Sequence, residues 1–263
     1  MKTAQAARIT TLIAATSLLS LVALSACSSA PEKKQLTKRE RALLYVELAN
    51  GALVEGDPTG ALQALRSAEE FDPSLPEIYH SRALAFEAKK DIPTALIEAK
   101  KAAMMAPNSS TAQNTLGKLL LDSGRNAEAI TPLSRAAHDP YYTESYKPLT
   151  NLGILYYRQG DYAKSEQNLN RAVQSSPIQS CHAHYYLGHI HLRKGEFDQS
   201  IREYERATQR FCARFADAHF ALGIAFERSH RFDDARKVYL SIRSSFPRSQ
   251  IADKAMDRLR DIP

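Results

Sequence analysis

Two patterns of apolar residues run along this chain, and they differ in kind. The first is a single stretch from Ile9 to Leu24, apolar or small throughout and carried by Leu12, Ile13, Leu18, Leu19, Leu21, Val22 and Leu24. Lys2 and Arg8 are the only charged side chains in the first 26 residues. A basic start followed by a run of this length is the layout of a secretory signal segment; for a spanning helix it is short and broken by Thr and Ser. The second pattern is periodic. Gly153, Gly188 and Gly223 recur every 35 residues, each after a leucine; Gly117 lies 36 upstream, and steps of 34 then reach Ala83 and Ala49. This spacing predicts six units, at about 42–75, 76–109, 110–143, 146–179, 181–214 and 216–249. Each unit predicts two helices around a turn such as Gly56-Asp57 or Gly160-Asp161. Ile251, Ala255, Met256 and Leu259 then predict an amphipathic closing helix over 250–262.

Other positions keep the same register. Position 20 is Ala61, Ala95, Ala129, Ser165, Ser200 and Ala235; position 27 is Ala68, Ala102, Ala136, Ala172, Ala207 and Ile242. Small residues here and at position 8 let two antiparallel helices approach closely, and Phe86, Tyr156, Tyr204 and Phe226 fill the space between. Position 32 is proline in four units, and proline cannot continue the second helix. The pattern resembles the tetratricopeptide repeat. It implies an all-α superhelical solenoid of six helix-turn-helix repeats plus a C-terminal capping helix, over 39–263. Two departures stand out. Repeat three ends early at Asp139-Pro140 and continues through a long connection, and Ile242 replaces a small residue, which would push the second helix of repeat six outward.

Leu24-Ser25-Ala26-Cys27 resembles the bacterial lipobox. The resemblance implies removal of residues 1–26 and acylation of Cys27; the alternatives are an uncleaved anchor or an ordinary signal with a chance cysteine. Ser28, rather than aspartate, then implies the outer membrane, with the protein on its periplasmic face. Each buried methylene of the acyl chains contributes roughly 0.8 kcal/mol. Residues 27–38 read as a polar tether.

Composition narrows the function classes. Loss of Lys2 and Arg8 lowers the formal charge from +6 to +4, dispersed along the chain, with no basic stripe for nucleic acid. No phosphate-binding glycine loop, nucleophile elbow, H-E-x-x-H or Cys-x-x-Cys occurs. We therefore expect no enzyme, cofactor, metal or small-molecule substrate. In CHAHYYLGHIH the repeat register puts His182 and His189 in the concave groove and His184 and His191 inside, so four ligands do not converge. Cys181 and Cys212 occupy positions 1 and 32 of repeat five, neighbouring ends of one hairpin, which points to a disulfide in an oxidising compartment; two free buried thiols are the alternative.

In a solenoid of this kind the first helix of each repeat lines the concave face. Leu43, Val46, Asn50, Leu53 and Val54 of repeat one, with Leu84 of repeat two, form a candidate partner-binding groove, unless residues 32–41 fold over it. Ile154, Tyr157, Tyr185, Leu192, Phe220 and Ile224 form a second candidate, with aromatics suited to an interface. Lipobox, six repeats and the connection HDPYYTESYKPLTNLG together resemble the type IV pilus biogenesis/stability lipoproteins, the PilW/PilF/Tgl pilotins. That resemblance implies an outer-membrane pilotin that binds secretin subunits and promotes their outer-membrane localisation and multimer assembly. The rival reading is a repeat lipoprotein adaptor of β-barrel assembly or peptidoglycan machinery, since SSFPRSQIADKAM resembles a segment of β-barrel assembly lipoproteins.

Overall fold

The computed structural model describes residues 35–263. Cys27 and the signal segment lie outside the described residues. The described chain is an all-helical solenoid of thirteen α-helices: α1 (Lys38–Val54), α2 (Pro58–Phe71), α3 (Pro76–Ala88), α4 (Ile92–Met105), α5 (Ser110–Asp122), α6 (Asn126–Ala137), α7 (Tyr146–Arg158), α8 (Tyr162–Ser175), α9 (Cys181–Lys194), α10 (Phe197–Arg206), α11 (Ala216–Arg228), α12 (Phe232–Ser245) and α13 (Gln250–Asp261). Every substantial helix contact joins elements adjacent in sequence or one removed. Stability is therefore a chain of nearest-neighbour interfaces. Among the described residues no helix is long and apolar enough to cross a membrane.

Local chemistry sets the helix ends. Thr37 caps α1 in a reciprocal capping box with Glu40, and Asp57, Asp91 and Asp161 cap α2, α4 and α8. α1 starts at Lys38, so residues 38–41 belong to the first helix and do not fold back over it. In all six hairpins a turn residue is left-handed: Gly56, Gly124, Gly160 and Gly195, with Lys90 and His230 in the other two.

The spacing between the two helices of a repeat is set by one residue pair. At Gly188 a Cβ would stand 2.6 Å from Cε1 of Tyr204, and Gly223 faces Tyr239 in the same way. Tyr204 and Tyr239 are fully buried. Burial pushes both hydroxyl pKa values up, reinforced at Tyr204 by neighbouring tyrosines and at Tyr239 by Glu227. Ile242, the oversized residue of repeat six, is fully buried in one apolar cluster with Ala252 and Ala255 of α13, so the closing helix covers it.

Cys181 and Cys212 are joined, with Cα atoms 5.5 Å apart. The bridge ties the start of α9 to a 3-10 turn, Arg210–Cys212, after α10. A Cys181→Ser/Cys212→Ser variant is expected to lose about 2–4 kcal/mol of unfolding free energy. Urea titration with and without reductant measures this, and an unchanged midpoint would show that the bridge does not constrain the fold.

Candidate functional site

The concave faces of repeats two to five enclose a cleft of about 650 Å³. Its apolar floor includes Leu84, Leu121, Ile154 and Tyr186, and its walls are polar. The repeat register explains the walls. Position 5 of one repeat meets position 6 of the next, so His80 Nε2 lies 3.0 Å from Thr115 Oγ1, and Asn151 Nδ2 donates to Asn114 Oδ1 at 3.0 Å. The same rows give Tyr185 and Phe220 at position 5 of repeats five and six. The lining therefore changes from polar to aromatic along the array.

The Asn114–Asn151 pair leaves the Asn114 amide nitrogen and the Asn151 carbonyl oxygen to offer a ligand, a donor and an acceptor matched to a peptide group. Lys118 bridges Glu87 of α3 and Asp122 of its own helix, and Arg158 donates to the carbonyl of Leu121 at 3.1 Å. These bonds fix the cations as part of the wall. The long connection after α6 supplies a further side. Asp139 accepts from Ser110 Oγ at 2.5 Å and from the Tyr141 backbone at 2.9 Å, which holds the connection against α5. Tyr142 and Glu144 thereby reach the cleft. The buried Tyr142 hydroxyl has no hydrogen-bond partner among the described residues.

The sequence-derived groove residues fall in several places. Leu84 and Ile154, from the two separate candidate patches, line this one cleft. Val46 is not on a free surface: it is buried with Ala42, Ala49 and Leu65 in the core of repeat one. Leu53 is half-buried against that same core. Leu43 is partly exposed and Val54 almost fully so, while Asn50 accepts from Ser81 Oγ at 2.7 Å. In the second patch, Tyr157, Tyr185 and Tyr186 pack around His189, with Tyr157–Tyr186 ring centroids 5.1 Å apart. Burial pushes the His189 pKa down to about 4 and the Tyr185 pKa up to about 12, the latter helped by Asp217. Phe220 packs on Tyr239, Ile224 is half-buried, and Leu192 lines a separate hollow with Phe197 and Arg228. The structure thus gathers a polar cleft from residues that apolar patterning passes over. Polar residues at positions 5 and 6 and the extra residues after Asp139 were the available signals.

The remaining histidines separate as well. His182 lines the cleft, with its ring 4.6 Å from that of Phe215. His191 pairs with Glu196 at 2.6 Å. His184 is buried; its Nδ1 lies 2.6 Å from Glu203 and its Nε2 3.0 Å from the carbonyl of Pro177. Burial raises the Glu203 pKa, but the bonds from His184 and Arg206 outweigh it and hold the carboxyl below its ordinary 4.5. A depressed carboxyl pKa contributes stability that is present above the unfolded value and lost as pH falls through the folded one. Thermal melts below about pH 4.5 are expected to show this loss, with Glu203→Gln flattening the slope. A wild-type-like slope in that variant would remove Glu203 as the cause.

Comparison with known proteins places this geometry. Residues 114–180 and 185–249, half of the chain, match the family model described as tetratricopeptide repeat. Over 168 residues the chain is 26% identical to the type IV pilus assembly protein PilF of Pseudomonas aeruginosa, covering 62% of this chain and 67% of PilF. The fold superposes on the crystal structure of PilW, a widely conserved type IV pilus biogenesis factor, with a TM-score of 0.72 at 21% identity, covering 82% of this chain and 98% of that one. It matches the solved structure of Pseudomonas aeruginosa PilF with a TM-score of 0.71 at 20% identity, over 84% of this chain and 99% of that one. Structural likeness at such identity speaks for the fold, which hosts many functions. Six helix pairs in one register and the family match over half the sequence agree: this chain belongs to the tetratricopeptide repeat family.

Proposed function

We propose that this protein is an outer-membrane lipoprotein pilotin that binds secretin subunits of the type IV pilus and promotes their localisation and assembly into the multimer. The observation that carries this reading is the sequence similarity to the pilus assembly protein PilF across most of the repeat array. The cleft of repeats two to five supports it as the recognition surface. It is concave, apolar at its floor, and edged by an amide pair suited to a peptide backbone. In this reading the acylated Cys27 supplies place and the cleft supplies recognition, with no covalent step. Other tetratricopeptide adaptors share the architecture, so the test is made on the partner. Deletion of the gene is expected to abolish secretin multimers on a gel and to remove surface pili. Intact multimers with normal pili would refute the reading, and a general loss of outer-membrane barrels would support the β-barrel assembly alternative.

A further inference from the structure

The two edges of the solenoid are not equivalent. The first helix of each repeat starts, and the second ends, on one edge. Contacts along the array show this: Arg39 with Asp72 at 3.3 Å, Ser110 with Asp139, Ser145 with Ser175, and the Cys181–Cys212 bridge. Gln35, where the described chain begins, stands at the same edge, just before α1. Exposed large apolar side chains collect here. Leu36 is 45% exposed, Met104 71%, Tyr141 91%, Ile178 54% and Phe211 68%. They come from the lead-in and from the ends of repeats two, three, four and five. The hairpin turns of the opposite edge are polar, and Val54 is the one exposed large apolar residue beside them among the described residues.

Phe211 is the most constrained of the row. It lies in the 3-10 turn between Arg210, whose φ of 50° is unfavourable for a residue with a side chain, and Cys212, which the bridge holds to α9. The sulfur of Cys212 also sits 3.6 Å from the carbonyl oxygen of Ile178, which brings the loops of Phe211 and Ile178 together. Arg210 and Arg214 flank the phenyl ring in sequence and are exposed, with no salt-bridge partner among the described residues. An exposed aromatic with exposed arginines one residue before and three residues after it suits an anionic lipid interface, where the ring enters the headgroup boundary and the cations stay at the phosphates.

We propose that the edge of the solenoid from which the tether leaves is a membrane-facing surface, with Tyr141, Ile178 and Phe211 entering an anionic lipid interface beside Arg210 and Arg214. This goes beyond the pilotin reading and rests only on its lipid anchor. From Cys27 to Gln35 the chain can reach at most about 27 Å when fully extended, so an acyl group on Cys27 keeps this edge near the bilayer. Anchoring then fixes an orientation: the array lies on its loop edge, and the concave cleft opens sideways along the membrane, toward a partner seated in it.

The chain contains no tryptophan, so Phe211→Trp and Val54→Trp each place a single indole on one edge. The full-length protein, purified and checked for the acyl mass on Cys27, is mixed with vesicles of phosphatidylethanolamine and phosphatidylglycerol carrying brominated acyl chains. The indole at 211 is expected to shift to the blue and lose emission by quenching, whereas that at 54 does neither. Adding Arg210→Glu and Arg214→Glu should reverse the quenching, as should high salt. If the acylated protein shows no quenching at 211, or equal quenching at 211 and 54, the edge proposal fails while the anchor stands. If Cys27 carries no acyl group, the anchor reading fails, and the same vesicle assay still decides the edge. A blue shift at 211 produced by added secretin and not by vesicles would overturn the proposal in favour of a protein partner.

Discussion

Gly188→Val is expected to destabilise the array by about 3 kcal/mol, the upper end of what overpacking a core costs. The cause is local. Position 8 of repeat five faces Tyr204 so closely that even a single Cβ would meet three ring atoms inside 3.0 Å. Tyr204 cannot withdraw, because it is fully buried and packs in the same cluster as Leu222 and Tyr239. The α9–α10 hairpin must therefore open. Because each repeat is held only by its neighbours, that opening should also loosen the interface with α11. Urea unfolding should show a lower midpoint, and Tyr204→Ala, which removes the ring that a Cβ at 188 would meet, should cost less in the valine background than alone. Repeat four obeys the same constraint with leucine as the partner: a Cβ at Gly153 would stand 2.4 Å from Leu169. The coupling between the two substitutions measures the contact. A valine variant with wild-type stability would mean that the hairpins are spaced by something other than this pair.

The second large effect concerns the cleft. If the proposed pilotin reading holds, Thr111→Arg together with Gln179→Arg is expected to weaken secretin binding at least tenfold, equivalent to about 1.4 kcal/mol. Both residues line the cleft and are exposed, so two long cations narrow its mouth without entering the core. Thermal midpoint should be unchanged, and secretin multimers should fall with the affinity. Leu44→Glu with Leu48→Glu is the comparison. These leucines are 51% and 61% exposed, since among the described residues no repeat precedes repeat one to cover them. The leucines that match Leu48 at position 7 of repeats four and five, Leu152 and Leu187, are only 3% and 2% exposed against the repeat before. If the leucine pair abolishes multimers and the cleft pair does not, recognition resides at the N-terminal face. Charges at Val46 or Leu53 would not make this distinction, since they would disturb the core of repeat one.

Leu44 and Leu48 also show why groove reading from a repeat register is incomplete. The register assigns each position a face, and it does so on the assumption that every repeat has a neighbour on both sides. At the first repeat that assumption fails, and residues that are core elsewhere become surface. Val46 errs in the other direction. Its position 5 counterparts Asn114 and Thr150 are also largely buried, because helices one repeat apart converge on the concave side. Apolar patterning then favours residues that fold the protein over residues free to bind. Asn114 and Asn151 keep the register at positions 5 and 6, but a search for apolar groove positions passes over them.

The chain's own order of residues determined the repeat, its length and the kind of element. Those follow from local chemistry: small residues at fixed spacing, helix caps such as Thr37 and Asp161, and prolines that end helices. It also placed Cys181 and Cys212 at neighbouring ends of one hairpin, because an antiparallel pair returns to its starting edge. Only the tertiary structure decided which of the many concave positions form one cleft. It brought Leu84 and Ile154, 70 residues apart, to the same floor, and Tyr142 from an irregular connection to its wall. It likewise gathered Tyr141, Ile178 and Phe211 along one edge. The physical reason is the superhelix: small rotations between successive repeats accumulate, and what each position meets depends on the repeats stacked beside it.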